Sequence, residues 1–195
     1  MTTFQNRETT YPIQQHLLSR VSSRAFSEER LSEEELFALF EAARWAPSSY
    51  NNQPWRFVYA RRGEKEWDTL FNVLIDFNKS WCKAADTLIA VVSRKNFEHN
   101  NKPSTTASFD TGAAWMSLAV EAHARGFVAH GMEGFDYDAL KKALKIPDSY
   151  KVEALIAVGK AGNKEHLPQA LKEKEKPSLR KPVKDIVAKG QFPFQ

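Results

Sequence analysis

Two polar stretches carry side chains whose types and spacing suit ligand chemistry. The first is Arg20-Val-Ser-Ser-Arg24. Guanidinium forks, hydroxyls and free backbone N–H groups at an abrupt polar break make a phosphate grip. The same residues also suit two surface arginines near a helix end. The second stretch is Ala46-Pro-Ser-Ser-Tyr-Asn-Asn-Gln-Pro-Trp-Arg-Phe57. Pro47 and Pro54 bracket Ser48, Ser49, Asn51, Asn52 and Gln53, and each proline disfavours a helical residue before it. The expectation is a fixed, extended loop whose amides and hydroxyls recognise a flat, polar small molecule. A linker whose Ser and Asn side chains make turns is the competing reading.

Other chemistries leave no trace. His16, His99, His123, His130 and His166 show no ligand spacing, and Cys82 is the single cysteine. Neither a metal site nor a disulfide framework is expected, and a reducing cytoplasm is the natural setting. The chain has no P-loop, no G-x-G-x-x-G and no G-x-S-x-G. No carboxylate pair stands out from the solvated acidic faces. An enzyme without an evident acid, base or nucleophile borrows its chemistry from an organic cofactor. A phosphate grip beside a polar loop for a flat ring agrees with that.

The elements that must position these stretches follow from periodicity. Tyr11–Ser19 reads as a short helix ahead of the arginine–serine break. Ser32–Trp45 is a helix with a capping-box pattern at Ser32 and Glu35, and Leu36, Phe37, Leu39, Phe40 and Ala43 recur at helical spacing. Pro47 stops it, so the polar loop leaves its C-terminus. Trp55–Arg61 alternates as a strand, and 64–80 reads as one amphipathic helix. Leu88–Val92 and Val152–Val158 are continuous apolar runs, as in strands buried on both faces. Residues 95–108 form a long polar loop, the kind that serves as a lid or binding segment. Asp110–Arg125 is a helix rich in small residues, with Gly126 placed to end it. Phe127–Glu133 is a strand, and Asp136 caps a helix that runs to Leu144. Residues 1–10 are expected to be flexible. Residues 163–195, rich in Lys, Glu and Pro, are expected to form an extended arm lying across the rest of the protein or a partner subunit. One domain of 195 residues is implied, a mixed α+β layer of about four strands with helices on both sides.

Composition agrees. The hydrophobic fraction is 42% and the charged fraction 27%, ordinary for a globular protein, and 13 Phe with 5 Trp supply a large core. No apolar run reaches the length of a membrane span, so no membrane partner is expected. The net charge of +4 admits nucleic acid. However, no basic helix interleaves with aromatics, and an anionic cofactor accounts for the charge equally well.

In combination these blocks resemble a known family. Arg20-Val-Ser-Ser-Arg24 followed by Phe26, then the proline loop 46–57, resembles the opening signature of the nitroreductase family of FMN-dependent oxidoreductases. Gly126-Phe-Val-Ala-His-Gly-Met-Glu-Gly-Phe-Asp136, the Val152–Gly159 strand and Arg180-Lys-Pro-Val183 resemble further family blocks in the right order. The resemblance spans about residues 16–187.

It implies an α+β sandwich, a central mostly antiparallel sheet flanked by helices, built as an intertwined homodimer with FMN at the interface. Arg20, Val21, Ser22 and Arg24 would surround the FMN phosphate and ribityl chain, and Arg180, with Lys181 beside it, would complete the clamp. Pro47, Ser48, Ser49 and Asn51 would reach the flavin of the other subunit, with Gln53 nearby. Met132, Glu133 and Gly134 would lie along the isoalloxazine edge, Gly134 because a residue without Cβ lets a backbone approach a ring. Two positions depart from the pattern: Val21 stands where many relatives have a second basic residue, and Ser178 replaces a basic residue two positions before the final arginine. The pyrimidine-ring contacts have no clear motif; Asn72, Asn78 and Lys79 are candidates. The implied reaction is two-step. NADH or NADPH passes hydride to flavin N5 and leaves, and a nitroaromatic, quinone or similar acceptor then takes the electrons. Reduction of a small aldehyde or enone, or of free flavin, is the alternative within the family. A flavin- or nucleic-acid-binding module without turnover is the alternative outside it.

Overall fold

The computed structural model describes residues 3–4 and 7–194. Its centre is a four-stranded sheet of β3 (Trp55–Arg61), β4 (Thr87–Arg94), β5 (Phe127–Met132) and β6 (Tyr150–Lys160). The order is β3-β4-β6-β5, and every neighbouring pair is antiparallel. The two strands read as continuous apolar runs, β4 and β6, are the inner ones. Leu88, Ala90 and Val92 point to one face and Ile89 and Val91 to the other, which is why both faces must be apolar.

Helices cover both faces. On one, α2 (Glu33–Arg44) and α5 (Ala107–Ala124) pack Leu39, Ala43, Ala114, Leu118 and Ala122 against Ile89, Val91, Ala129 and Ile156. On the other, α3 (Trp67–Phe71), α4 (Asp76–Cys82) and α6 (Tyr137–Ala143) bring Trp67, Leu70, Trp81, Cys82 and Leu140 against Leu88, Val92, Leu155 and Ala157. This is the expected α+β sandwich. The capping box of α2 forms in full: Ser32 Oγ accepts from Glu35 N–H and the Glu35 carboxylate from Ser32 N–H. Asp136 caps α6 through Ala139 N–H.

Four expectations are corrected. Helix α1 spans Gln15–Ser19 and not Tyr11–Ser19, because Gln14 is still extended (ψ 133°). The single helix expected over 64–80 breaks into α3 and α4 at Leu74. There the chain bridges to Phe135 and Ile75 N–H donates to Gly134 O, so a tertiary contact overrides the helical period. The polar loop ends at Thr106, and α5 starts three residues before Asp110. Within that loop Asn96 pairs with Pro103, Phe97 N–H donates to Lys102 O and Asn101 turns at φ 56°, forming a small hairpin. Finally, the expectation of a flexible 1–10 is corrected at its described residues, where β1 (Thr3–Phe4) pairs with β2 (Arg7–Glu8); residues 1, 2, 5 and 6 lie outside the described residues. Beyond β6, the described arm carries α7 (Gln169–Lys172), fixed by buried Leu167 and Leu171, before a largely exposed run. Among the described residues no helix is long and apolar enough to cross a membrane.

Candidate functional site

The arginine–serine break is held by Phe26. Its ring is buried and stacks on Trp81. Its backbone bridges to Ala161, with Ser27 N–H donating to Lys160 O at 3.0 Å and Gly162 N–H donating to Ala25 O at 2.9 Å. The approach is so close that a Cβ at Gly162 would overlap the Phe26 carbonyl. Anchored at this end, residues 20–24 cannot join the sheet or a helix, and their side chains turn into a cavity of about 340 Å³.

Arg20, Val21, Ser22 and Arg24 line one wall of that cavity, and Lys174, Lys176, Ser178 and Arg180 of the arm line the other. His130 and Gly131 of β5 form the floor, and Arg7 closes the N-terminal side. Six cationic side chains thus surround one carboxylate, Glu175, which accepts from Arg24 N–H at 2.9 Å. Arg20 Nη1 donates to Ser22 Oγ at 3.0 Å, so hydroxyl and guanidinium sit side by side. Arg24 Nε is buried without a hydrogen-bond partner while its guanidinium lies over Phe77 and Trp81. Burial first, and then the like charge of Arg180, lower the pKa of Arg20. His130 Nδ1 lies 3.0 Å from Ser23 O and donates to that carbonyl when it carries the proton. Burial, the largest cause, and Arg24 hold its pKa below the ordinary value, against the carbonyls of Ser23 and Ser22 and the charge of Glu175. The arrangement suits a multiply charged anion such as a phosphate monoester. The two departures noted in the sequence, Val21 and Ser178, both line this cavity.

The proline loop is elsewhere. Tyr50, Asn51, Asn52, Gln53, Arg56, Glu98 and His99 line a second cavity of about 280 Å³. The loop is not extended as expected. Ser49–Asn51 is a 3-10 turn, and Tyr50 (φ 51°), Asn51 (φ 51°) and Gln53 (φ 46°) are left-handed. Non-glycine residues hold that conformation only where their surroundings over-determine it. Here Ser49 N–H donates to Asp110 Oδ2 (3.1 Å), Gln53 N–H to Ser48 Oγ (3.0 Å), Gln53 Nε2 to Asn51 O (3.0 Å) and Glu98 N–H to Asn52 Oδ1 (2.9 Å). Asp110 is itself buried and also accepts from Thr106 Oγ1. The early start of α5 is what brings that carboxylate under the loop. Pro47 and Asn51 are exposed, and Tyr50 is 84% exposed against Phe97 and His99.

The remaining candidates divide. Met132 points its side chain into the core, where the Cys82 thiol lies 3.3 Å from its sulfur. Burial raises that thiol out of the reactive range. Glu133 is exposed. Gly134 O accepts from Asn78 Nδ2 (2.9 Å), and a Cβ on Gly134 would come within 2.7 Å of both Asn78 Nδ2 and Ile75 Cδ1. A side chain at this position would have to displace the ends of both. Asn78, one of the three pyrimidine-ring candidates, is buried beside it. Lys181 is exposed and lies outside both cavity linings. Sequence reasoning missed Arg7, Asp110, Lys174, Glu175 and Lys176. The first lies in a stretch expected to be flexible, and the last three in an arm expected to lie across the rest of the protein or a partner subunit with no part in a site. Asp110 was read only as a helix start.

With this geometry in hand, the likenesses to known proteins are informative. A sequence model of the Nitroreductase family matches residues 17–80 and 75–160. The crystal structure of an oxidoreductase containing FMN is similar at TM-score 0.95 and 43% identity, over 100% of both chains. A structure provisionally named a nitroreductase, from Desulfovibrio desulfuricans and in complex with FMN, is similar at TM-score 0.74 and 25% identity, over 95% of this chain and 100% of the other. A Streptomyces coelicolor protein provisionally named an NADH dehydrogenase/NAD(P)H nitroreductase is 24% identical over 181 residues, 82% of this chain and 91% of that protein. Sandwich, polar break and proline loop thus occur together in a chain that belongs to the nitroreductase family.

Proposed function

We propose that this protein is an FMN-dependent oxidoreductase using NADH or NADPH as electron donor. The observation that carries the reading is the cationic cavity. Six positive side chains, a hydroxyl and a buried, unpartnered Arg24 Nε around about 340 Å³ fit the phosphate end of FMN in charge and donor type. Bound there, FMN supplies the redox chemistry, a two-electron transfer from nicotinamide to a small oxidised acceptor such as a nitroaromatic or quinone.

The chain's residues bind, orient and shield. Arg20, Ser22, Arg24 and Arg180 hold the phosphate, and Val21 supplies an apolar flank. Lys181 adds positive charge next to Arg180. The backbone at Met132, Glu133 and Gly134 follows from the floor strand β5 and lines the ring edge, locked by Ile75 N–H and Asn78 Nδ2 on Gly134 O. Pro47, Ser48, Ser49, Asn51 and Gln53 serve the flavin held by a second copy of the chain. The motive for a homodimer is that the proline loop and the cationic cavity line two different cavities of one protomer. Large apolar side chains also stand exposed at the C-terminal end of α2, on α5 and on the arm: Trp45 (75%), Phe109 (80%), Leu179, Ile186 and Val187. Such exposure marks an interaction surface.

The visible spectrum of the purified protein tests the reading. A yellow protein, or one that turns yellow with added FMN and bleaches on NAD(P)H, is expected. A colourless protein that takes up no FMN and oxidises no NAD(P)H with any acceptor overturns it.

A further inference from the structure

Arg7 belongs to none of the motifs by which the chain is recognised, yet it is buried at the junction of three segments. Its side chain is 8% exposed. Nη1 donates to Leu18 O at 2.7 Å and to Arg20 O at 2.8 Å, and Nε donates to Ser178 O at 3.0 Å. Leu18 lies in the last turn of α1, Arg20 opens the polar break, and Ser178 lies two residues before Arg180 on the arm. One guanidinium therefore fastens β2 to both walls of the cationic cavity.

The fastening works against electrostatics. Burial first, then Arg180 and Arg20, lower the pKa of Arg7. Three guanidinium groups are thus crowded together. Glu175, the one carboxylate among the described lining residues, is engaged with the Arg24 backbone. Carbonyl dipoles hold the crowded charges in place, and an anion between them relieves the repulsion.

We propose that Arg7 is a positioning residue for the phosphate end of the flavin. It draws the break and the arm together so that Arg20 and Arg180 meet one anion from opposite walls. The inference rests on the flavin reading of this cavity. A planar fork reaches carbonyls on the break and on the arm at once, which a lysine ammonium reproduces only in part.

FMN and riboflavin share a ring and differ in the phosphate, so their comparison isolates the cradle. Binding of each to the flavin-stripped full chain is followed by flavin fluorescence for the parent, Arg7→Ala and Arg7→Lys, with folding checked by circular dichroism. Arg7→Ala is expected to weaken FMN binding about tenfold or more and to leave riboflavin within about twofold, with partial recovery in Arg7→Lys. Should Arg7→Ala fail to fold, the FMN-to-riboflavin ratio in Arg7→Lys decides. Equal losses for both flavins, or an unchanged ratio, overturn the inference. Inorganic phosphate separates this from the flavin reading itself. If the parent binds neither flavin, that reading falls. The joining of Arg20 and Arg180 by Arg7 around an anion then survives without its flavin only if phosphate raises the parent's melting temperature and not that of the variant; an equal rise, or none in the parent, overturns it.

Discussion

Replacing Gly162 by alanine should cost both stability and the anion site, because this glycine lets two backbones touch. The added methyl would overlap the Phe26 carbonyl carbon and oxygen and approach Ser27 N to 2.5 Å. These are backbone atoms, so no rotamer change relieves the clash. The Phe26–Ala161 bridge must open instead. Opening it breaks two hydrogen bonds, Ser27 N–H to Lys160 O and Gly162 N–H to Ala25 O, each worth about 1 kcal/mol net. It also lifts a ring that is buried against Trp81, and partial exposure of a phenylalanine costs roughly 1–2 kcal/mol. Alanine recovers about 0.5–1 kcal/mol by restricting the unfolded chain. The net loss is about 2–3.5 kcal/mol, which for a chain of this size lowers the melting temperature by roughly 4–14 °C. Thermal melts by circular dichroism read this directly. Because Phe26 anchors the break two residues after Arg24, inorganic phosphate should also protect the variant less than the parent. A melting temperature within about 2 °C of the parent would refute the view that this contact anchors the cradle.

Three further outcomes are expected. Asn51→Ala should weaken FMN retention about fivefold, the value of one hydrogen bond of roughly 1 kcal/mol, with α2 and the melting curve little changed; unchanged affinity removes the proline loop from the flavin site. Phe109→Asp, at a side chain 80% exposed on α5, should convert a dimer to monomers in light scattering, and an unaltered mass excludes this face as the interface. His130 and His123 both sit below the ordinary histidine value of 6.5, chiefly through burial. The unfolded chain therefore binds more protons than the folded one just below that value, and stability must fall as pH drops through it. Urea midpoints should decline between about pH 7 and pH 5, and His130→Gln, which keeps a donor for Ser23 O, should flatten the decline; an identical slope in the variant assigns the effect to other groups.

The parts of the fold legible in sequence were those fixed by local rules. The capping box at Ser32 and Glu35, the alternation of Trp55–Arg61 and the apolar runs of β4 and β6 each depend on near neighbours, and each formed where expected. What escaped depends on partners far along the chain. The helical period of 64–80 gives no warning that Leu74 will pair with Phe135 and stop the helix. Pro47 and Pro54 announce an irregular loop but not its left-handed turns, which need the carboxylate of Asp110 and the hydroxyl of Ser48 to hold them. Half of the cationic cavity was visible as Arg20, Ser22, Arg24 and Arg180. Arg7, Lys174 and Lys176 were hidden in stretches too poor in apolar residues to suggest order, and Leu167 and Leu171 are what pin the last two in place.

The separation of the proline loop from the cationic cavity within one protomer also has a consequence for behaviour in solution. If each flavin is held by residues of two chains, cofactor binding and association are linked equilibria, and the linkage is reciprocal. Whatever factor FMN adds to the affinity of one chain for another, association adds to the affinity for FMN. Dilution should then bleed flavin from the protein even with the site chemistry intact, and excess FMN should restore the assembly by mass action. Specific activity would depend on protein concentration, and a weakened phosphate grip would present itself first as a weaker dimer.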